Sequence, residues 1–392
     1  MPDRRDLTPT KRLQGSYQRN RVEVESNRNS RNLAHHIEKH AMRSAFKCSL
    51  SLTVCLVTSL ICLAQLDAAA PPFVGETKPV PVFSGGVAFV PTWDVGNPTL
   101  VSIISPVLLV PLGNKFLFES RAEFEGDFQR RNGNSGDFTG TIDKSLEYME
   151  LDYIGNRYVT VTAGRFLTPF NIFSERLYPN WIRNTQTDPL IFPIGTRSDD
   201  GLMLRGGIPV NQGVTLNYAA YFSALSTLDH FESERHTGVR AGIFLPRRRF
   251  EIGASAQHQL QNDRLNRYGF HLQWQPFRMP LDIRAESAYS REEGNGLWIE
   301  AAYRLRNARP SLLRRTQLVC RTQVFHTGSV PGINPDLPDR DTKRTEFGVN
   351  YYLNDGWKAL ASYGRTFTPA GDSNIWTVGM TYRFVIPLGP MK

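Results

Sequence analysis

Cysteine is scarce in this chain of 392 residues, and most of it lies near the amino terminus. Of the four cysteines, Cys48, Cys55 and Cys62 lie in or beside one apolar run, and Cys320 alone follows that run. An exported form that keeps one cysteine cannot form an intramolecular disulfide, so another source of stability is needed. The continuous hydrogen-bond ladder of a closed β-barrel would supply it.

Long apolar runs are also lacking. Residues 49–64 form the one uncharged run that approaches membrane length, and this excludes a helical membrane protein. Arg43 and Lys47 precede the run and alanines at 68–70 follow it, which is the order typical of a secretory signal peptide. A buried core helix is the alternative, but the break at Pro71 and Pro72 favours export.

These features predict the organisation of the chain. We expect a signal peptide at 42–70, a periplasmic N-terminal segment at 71–84 and a transmembrane barrel at 85–392. A signal peptide should begin near the start of the chain, so we expect translation to start at Met42 and residues 1–41 to be a non-native upstream extension. A genuine extended leader is the alternative. The cleavage position is left open between Gln65 and Pro71.

The positive charge belongs mostly to this leader. The whole chain has 46 basic and 37 acidic residues, a net charge of +9. Residues 1–70 hold 11 basic and 6 acidic residues, which leaves 35 and 31 in the remainder, a net charge of +4. The exported part therefore has little electrostatic support for binding nucleic acid, and we predict no nucleic-acid partner.

From residue 85 onward, hydrophobic and polar residues alternate with a period of two. In 250–260, for example, Phe250, Ile252 and Ala254 share one face, and Glu251 and Ser255 lie on the other. Sixteen such segments fit between 85 and 384, most of them near the nine to eleven residues with which a tilted strand crosses a bilayer. Aromatic residues at the ends of the apolar faces distinguish a membrane barrel from a half-buried sandwich.

The connections between segments alternate in length. The connections after even-numbered segments are tight. Those after odd-numbered segments are mostly longer, and the long ones are 130–145, 167–199, 224–236, 327–343 and 368–374. Short periplasmic turns and long outer loops are typical of bacterial outer-membrane barrels. The predicted fold is therefore an all-β, antiparallel barrel of about sixteen strands in the bacterial outer membrane, with a long third outer loop. The proline at 106 makes the second strand the weakest of these predictions.

The third outer loop, 167–199, is rich in aromatic residues and proline. Such apolar area needs cover, so we expect the loop to fold inward and narrow the pore; a cap over the rim or contact with a neighbouring subunit is the alternative. The candidate constriction residues are Thr168, Pro169, Phe170, Glu175, Arg176 and Arg183.

The run at 163–170, A-G-R-F-L-T-P-F, ends a strand and opens this loop. It resembles the G-x-x-x-T-P-F signature of the phosphate-selective porin group of bacterial outer-membrane channels. Tyr382-Arg383-Phe384 resembles the aromatic strand end that the barrel-assembly machinery reads, although 385–392 follow it. The resemblance implies a passive channel, anion selectivity and a homotrimer. The resemblance does not extend to a lysine-rich row of binding residues, because this sequence shows none.

Strand parity predicts which charges line the interior. The candidate pore-lining residues are Arg121, Glu123, Glu125, Glu150, Asp152, Arg205, Arg240, Glu251, Asp282, Arg284, Glu286, Glu300, Arg304, Arg321, Glu346 and Arg383. Opposed acidic and basic walls would orient dipolar solutes and give weak selectivity, with Arg240 and Arg284 contributing most to any anion preference. Alternatively, these charges pair and merely solvate the wall.

The predicted function is a porin, a passive diffusion channel for small hydrophilic and anionic, phosphate-like solutes. The expected partners are outer-membrane lipid and these solutes, with no cofactor, no metal and no enzymatic activity. No phosphate-binding glycine loop, zinc-ligand pair or Gly-x-Ser-x-Gly motif is present in the sequence. The alternatives are a structural or adhesive barrel and a lipid hydrolase, which would need a histidine beside a lipid-facing serine such as Ser287.

Overall fold

The computed structural model describes residues 80–94, 97–132, 135–225, 235–261 and 264–389. The predictions for 1–41, for the signal peptide and for most of 71–84 lie outside these residues. The described barrel begins three residues before the predicted boundary, at Val82, because the first strand pairs with the last one from that point.

In the described part of the chain, sixteen antiparallel strands close into one barrel, each paired with its neighbours in sequence and the first paired with the last. This confirms the predicted fold class. The strands are β1 (Val82–Asp94), β2 (Asn97–Leu112), β3 (Phe116–Asn132), β4 (Ser135–Ile154), β5 (Thr160–Leu167), β6 (Ser198–Asn211), β7 (Val214–Leu225), β8 (His236–Leu245), β9 (Phe250–Gln259), β10 (Asn266–Trp274), β11 (Leu281–Ser290), β12 (Gly294–Arg304), β13 (Thr316–Thr327), β14 (Thr342–Tyr352), β15 (Trp357–Thr368) and β16 (Gly371–Pro387).

Helical structure in the described ranges is limited to three short segments, Phe173–Leu177, Pro246–Arg248 and Ser311–Arg314. None of the helices seen in these ranges has the length and apolar character needed to cross a membrane.

The alternation of side chains separates an outer apolar face from an inner polar face, because successive side chains of a strand point to opposite sides. On β13, Leu318 and Cys320 are exposed on the outside, whereas Arg321 and Gln323 are buried inside. Aromatic pairs bracket the outer face of β15 and β16. The rings of Trp357 and Tyr382 lie 4.5 Å apart near one end, and those of Tyr363 and Trp376 lie 4.5 Å apart toward the other. Such girdles are characteristic of barrels that cross a membrane.

The connections follow the predicted parity, with one exception at the periplasmic end and two at the outer end. At the periplasmic end, residues 113–115, 212–213 and 353–356 form tight turns, but 305–315 is longer and contains the helical turn Ser311–Arg314. At the outer end, the predicted loop 130–145 is wrong. Residues 130–132 and 135–145 instead continue β3 and β4, with Arg130 opposite Phe138 in the ladder. The Gly- and Asn-rich sequence there indicated a loop, but Phe138 and Ile142 keep the outward apolar alternation. The predicted outer loop 368–374 is wrong, because β15 and β16 are joined by a two-residue turn at 369–370, with Thr368 paired to Gly371.

Two irregularities in the strands affect the interior. Pro106 does not end β2; the β2–β3 ladder skips Ser105 and Pro106, and the Ser105 hydroxyl donates a hydrogen bond to Glu123 at 2.8 Å. β4 has a bulge at Glu147, which has no partner on β3. Arg121 of β3 pairs with Tyr148, and the next residue, Ala122, pairs with Leu146. The bulge places an additional carboxylate on the inner face.

Candidate pore constriction

The constriction loop, residues 168–197, leaves β5 and runs inside the barrel. Its two ends are joined at the wall. The Thr168 backbone N–H donates to the Arg197 carbonyl at 3.1 Å, and the Thr168 hydroxyl donates to the Thr196 carbonyl. Pro169 and Phe170 are buried beside this stem. The T-P-F run at 168–170 therefore anchors the base of the loop and does not face a free passage.

Apolar residues of the loop pack against one side of the inner wall. Phe173, Leu177 and Ile191 form a buried cluster with Trp298 of β12 and Phe325 of β13. The rings of Phe173 and Trp298 meet edge to face with centroids 6.0 Å apart. This packing covers the apolar area that the sequence places in the loop, and it is the physical reason why the loop lies inside the barrel.

Glu286 of β11 holds the first turn of the loop. Its carboxylate accepts hydrogen bonds from the backbone N–H groups of Ile172 and Phe173, both at 2.6 Å, and from the indole N–H of Trp298 at 3.1 Å. Asn171, just before, adopts a left-handed φ of 56° and donates its side-chain amide to the Ser287 carbonyl at 3.1 Å. A buried carboxylate is thus satisfied by the loop backbone.

Charged groups link the next turn to β8 and β9. Arg240 lies 2.5 Å from Glu175, and Arg176 lies 2.8 Å from Glu251. Burial by itself would raise the pKa of Glu175, but the guanidinium groups of Arg240 and Arg176 outweigh it and hold this pKa below its ordinary value. Arg176 is the more open of the two loop residues, with a third of its side chain exposed.

The far part of the loop is bound to β12–β15. The Thr187 hydroxyl donates to Glu346 at 2.5 Å, and Arg321 donates to the Thr187 carbonyl at 2.7 Å while pairing with Glu346 at 2.6 Å. Asn184 donates to Glu300 at 2.7 Å. The ammonium group of Lys358 donates to the Arg183 carbonyl at 2.6 Å. Most of these bonds join the loop to wall residues more than a hundred positions away in the chain.

The opposite wall also contacts the loop. Glu123 of β3 pairs with Arg121 at 3.0 Å and with Arg197 at 3.2 Å, and it accepts the Tyr178 hydroxyl at 3.0 Å. Arg197 also pairs with Glu147. The constriction loop therefore reaches both sides of the barrel.

The structure places all the predicted pore-lining residues on the inner face, in different degrees of exposure. Those that are buried are Arg121, Glu123, Glu150, Asp152, Arg240, Glu251, Arg284, Glu286, Glu300, Arg321 and Glu346. Glu125, Arg205, Asp282 and Arg304 are half-buried, and Arg383 is exposed near the periplasmic end of β16. The arginines do not form a wall of free positive charge. Arg205 pairs with Asp152 at 2.5 Å, and Arg284 with Asp282 at 2.6 Å, so the alternative of paired wall charges describes much of the interior.

Among the predicted constriction residues, Arg183 also serves the loop itself. Its guanidinium donates to the Tyr178 carbonyl and to the Gln186 carbonyl at 3.1 Å, and it lies over the Tyr178 ring at 4.3 Å.

Three residues that the sequence did not single out contact the loop or the wall beside it. They are Glu147, which strict alternation from Glu150 would place outside, Trp298, and Trp181, which lies against Gly86 of β1. A glycine on an inner face is the one signal that could have indicated such a close approach.

Cavities flank the loop in the described part of the barrel. An outer cavity of about 700 Å³ lies between the loop and residues 334–338, and a second one of about 320 Å³ lies between the loop and β1–β3. A periplasmic cavity of about 430 Å³ is lined by Arg249, Arg278, Arg284, Arg304 and Arg306 and by one acidic residue, Asp282. Residues 180–184 of the loop line both the second and the periplasmic cavity, so this segment separates them.

The serine considered for a lipid hydrolase has no catalytic neighbour in its register. Ser287 lies opposite Phe270 on one side and Leu297 on the other. His271 is fully buried on the inner face, 3.7 Å from Glu251. Within the described ranges, no group of three His, Cys, Asp or Glu side chains could hold a metal ion.

No protein-family model and no curated protein matches the chain. Solved structures do match. OmpF of Salmonella typhi in complex with daunomycin is 11% identical over 77% of this chain and 97% of that chain, with a TM-score of 0.55. The anion-selective porin from Comamonas acidovorans is 12% identical over 77% and 98%, with a TM-score of 0.50. OmpT of Vibrio cholerae, an outer membrane protein, is 9% identical over 79% and 99%, also at 0.50. The chain therefore has the fold of bacterial outer-membrane porins.

Proposed function

We propose that this protein is a passive diffusion channel for small hydrophilic solutes. The observation that carries the proposal is a loop folded inside a closed barrel, with cavities on its outer and periplasmic sides that charged side chains help to line. A loop in this position sets the width of the passage, and the charged wall around it keeps the passage hydrated. No chemical step is required, and the proposal includes neither a cofactor nor a metal.

The passage is narrow at residues 180–184. Asn180 and Arg183 line the cavity above this segment, and Ile182 and Asn184 line the cavity below it. Asn184 is held by Glu300, and the carbonyl of Arg183 is held by Lys358. We therefore expect a small unit conductance, and we expect it to rise when these bonds are removed.

For selectivity, we propose a weak preference for anions that comes from the periplasmic cavity. Its lining brings five arginines together with one acidic residue. Arg284 and Arg304 are its inner-wall members, and the guanidinium of Arg304 lies over the Tyr352 ring at 4.2 Å. Arg240 is a poor candidate for this role, because it does not line this cavity and its guanidinium is bound to Glu175 and to the Asn171 carbonyl. Arg284 is paired with Asp282, so Arg304 is the stronger of the two inner-wall candidates. The resemblance to phosphate-selective porins supports anions, but the paired charges elsewhere limit the preference.

The experiment is conductance of the purified, folded protein in planar lipid bilayers. We expect stepwise opening and, in a salt gradient, a reversal potential that favours anions slightly. Replacing both Arg284 and Arg304 by alanine should remove this preference, while Arg365→Ala should not, because Arg365 pairs with Asp372 outside the cavity. Strong anion selectivity that survives the double replacement would show that other residues determine it.

The second candidate is a structural or adhesive barrel with a filled interior. One observation favours it: most charged side chains of the inner wall are buried and paired, several of them with the loop. The same bilayer experiment separates the two candidates. A stably folded protein that never conducts, even when Thr187 is replaced to weaken the loop, would establish the filled barrel and exclude the channel.

We also propose that three copies associate, which rests on the resemblance to the porin group. The mass of the detergent-solubilised protein, measured by light scattering with the detergent subtracted, would give the number of copies. A single copy under conditions that keep the barrel folded would contradict the trimer without affecting the channel.

A further inference from the structure

The periplasmic end of the barrel carries a concentration of arginine between β8 and β13. Three successive connections, 246–249, 275–280 and 305–315, contain eight arginines and no acidic residue. We call these eight residues the basic rim: Arg247, Arg248, Arg249, Arg278, Arg306, Arg309, Arg314 and Arg315. All eight are exposed.

In the described residues, no carboxylate neutralises an arginine of the basic rim. Arg249 lies over the Phe277 ring at 5.4 Å, and Arg315 donates to the Leu353 carbonyl at 2.9 Å. None of the eight forms an ion pair with another residue in the described ranges. This differs from the barrel interior, where arginines such as Arg321 are paired with carboxylates. The rim therefore presents uncompensated positive charge to its surroundings.

Large apolar side chains alternate with these arginines. Phe277 is 76% exposed and Leu312 is 67% exposed, with Met279 and Leu313 also exposed in the same connections. Apolar groups of this size cost free energy when they face water. Arginine interleaved with leucine and phenylalanine is typical of segments that lie in the headgroup region of a bilayer.

The position of the connections fits that environment. Connection 275–280 begins directly after Trp274, and 305–315 begins two residues after Tyr303; both aromatic side chains are exposed on the outer face of the barrel. Aromatic residues at strand ends mark the boundary of the hydrocarbon region. The rim therefore lies at the depth of the headgroups of the periplasmic leaflet. The outer end differs, since connection 328–341 carries Asp336, Asp339 and Asp341 beside Arg340.

We propose that the basic rim is a docking surface for anionic phospholipids of the periplasmic leaflet. Arginine guanidinium groups bind the phosphate groups, and Phe277 and Leu312 enter the acyl region beside them. The surface fixes the periplasmic end of the barrel on one side, between β8 and β13. This inference depends on the membrane location of the barrel and is independent of whether the barrel conducts.

Spin-label electron paramagnetic resonance of the full-length exported barrel in phosphatidylcholine bilayers tests the proposal. Spin-labelled phosphatidylglycerol is compared with spin-labelled phosphatidylcholine in the motionally restricted lipid shell. We expect a preference for the anionic lipid of about fivefold at the occupied sites, equivalent to about 1 kcal/mol. It should decrease between about 0.1 M and 1 M salt, because the screening length falls from ~10 Å to ~3 Å.

The variant R247Q/R248Q/R309Q/R314Q should lose most of the preference, and the corresponding lysine variant should keep it. The matched control, R235Q/R291Q/R340Q/R365Q, neutralises four arginines toward the outer end and should leave the preference unchanged. Mobility of the unheated protein in gels verifies that each variant is folded.

Three outcomes of the lipid measurement would overturn the proposal. One is equal loss of the preference in the control variant, and another is a wild type with no preference for the anionic lipid. The third is abolition of the preference by inorganic phosphate at constant ionic strength, which would assign the rim to a free anion. Purified peptidoglycan that sediments with the wild type but not with the glutamine variant, in the absence of any lipid preference, would assign it to the cell wall instead.

Discussion

The guanidinium of Arg240, on β8, lies 2.5 Å from the carboxylate of Glu175 in the constriction loop. The same guanidinium donates to the Asn171 carbonyl at 2.9 Å. Strand parity places Arg240 at mid-strand on the inner wall, where a permeating anion would meet it. Its guanidinium is instead bonded to the loop. Its role in the barrel is to fix the constriction.

Arg240→Ala should therefore loosen the loop. The Glu175 side chain is 16% exposed, and the replacement leaves it Arg176, at 3.7 Å, as an ion-pair partner in the described part of the chain. Losing the charged hydrogen bond to Arg240 costs about 1.5–3 kcal/mol. We expect a larger and noisier unit conductance in planar bilayers, with selectivity shifted toward cations. Arg365→Ala on the outer surface is the control. Loss of anion selectivity at unchanged conductance would contradict this role and show that Arg240 faces the solute.

Acid should release the same contact. Because the pKa of Glu175 is below its ordinary value of 4.5 in the folded protein, the pair contributes its full stability above that value. The contribution is lost as the pH falls through the lowered pKa. We expect steady conductance from about pH 5 to pH 8 and increased gating below about pH 4. Other carboxylates also hold the loop, so the measured quantity is the difference between the wild type and Glu175→Gln. An identical acid response in both would refute the assignment.

The contact between Trp181 and Gly86 gives a steric test. A Cβ atom at Gly86 would lie 2.1 Å from the Trp181 ring, so Gly86→Ala must displace the loop. Overpacking of this kind costs about 1–3 kcal/mol. Gly348→Ala is the matched control, because it also lies on the inner face and its Cβ would meet only ordinary contacts, at 3.5 Å or more. We expect trypsin to cleave the loop faster in the first variant than in the second. Equal cleavage rates would show that Trp181 does not hold the loop.

The start of the exported chain is a further prediction. If translation begins at Met42 and residues 42–70 act as a signal peptide, the mature protein should begin between Gln65 and Pro71. Amino-terminal sequencing of protein from the outer membrane checks this. Residues 1–41 still attached to that protein would exclude both the proposed start and the proposed cleavage.

The sequence by itself was sufficient for the architecture. Strand number, the inner and outer faces and the location of the long third outer loop follow from a period-two pattern and from the parity of the connections. Both are local properties, since the alternation on β13, with Leu318 outside and Arg321 inside, is set by the pleat of a single strand. Where the pattern changes within a strand, local reasoning fails. The bulge at Glu147 places that side chain on the inner face against the alternation, and strand residues within 130–145 and 368–374 were predicted to be loops.

The tertiary structure alone decided what the interior charges do. The sequence places Arg240 and Glu175 as candidate pore residues but does not show that they bind each other across 65 positions of the chain. The partner of a buried charge depends on the path of the loop, and that path depends on apolar packing of Phe173 against Trp298 and on the three hydrogen bonds to Glu286. These contacts exist only after the barrel has closed, because closure brings β3, β8, β11 and β14 around a single loop.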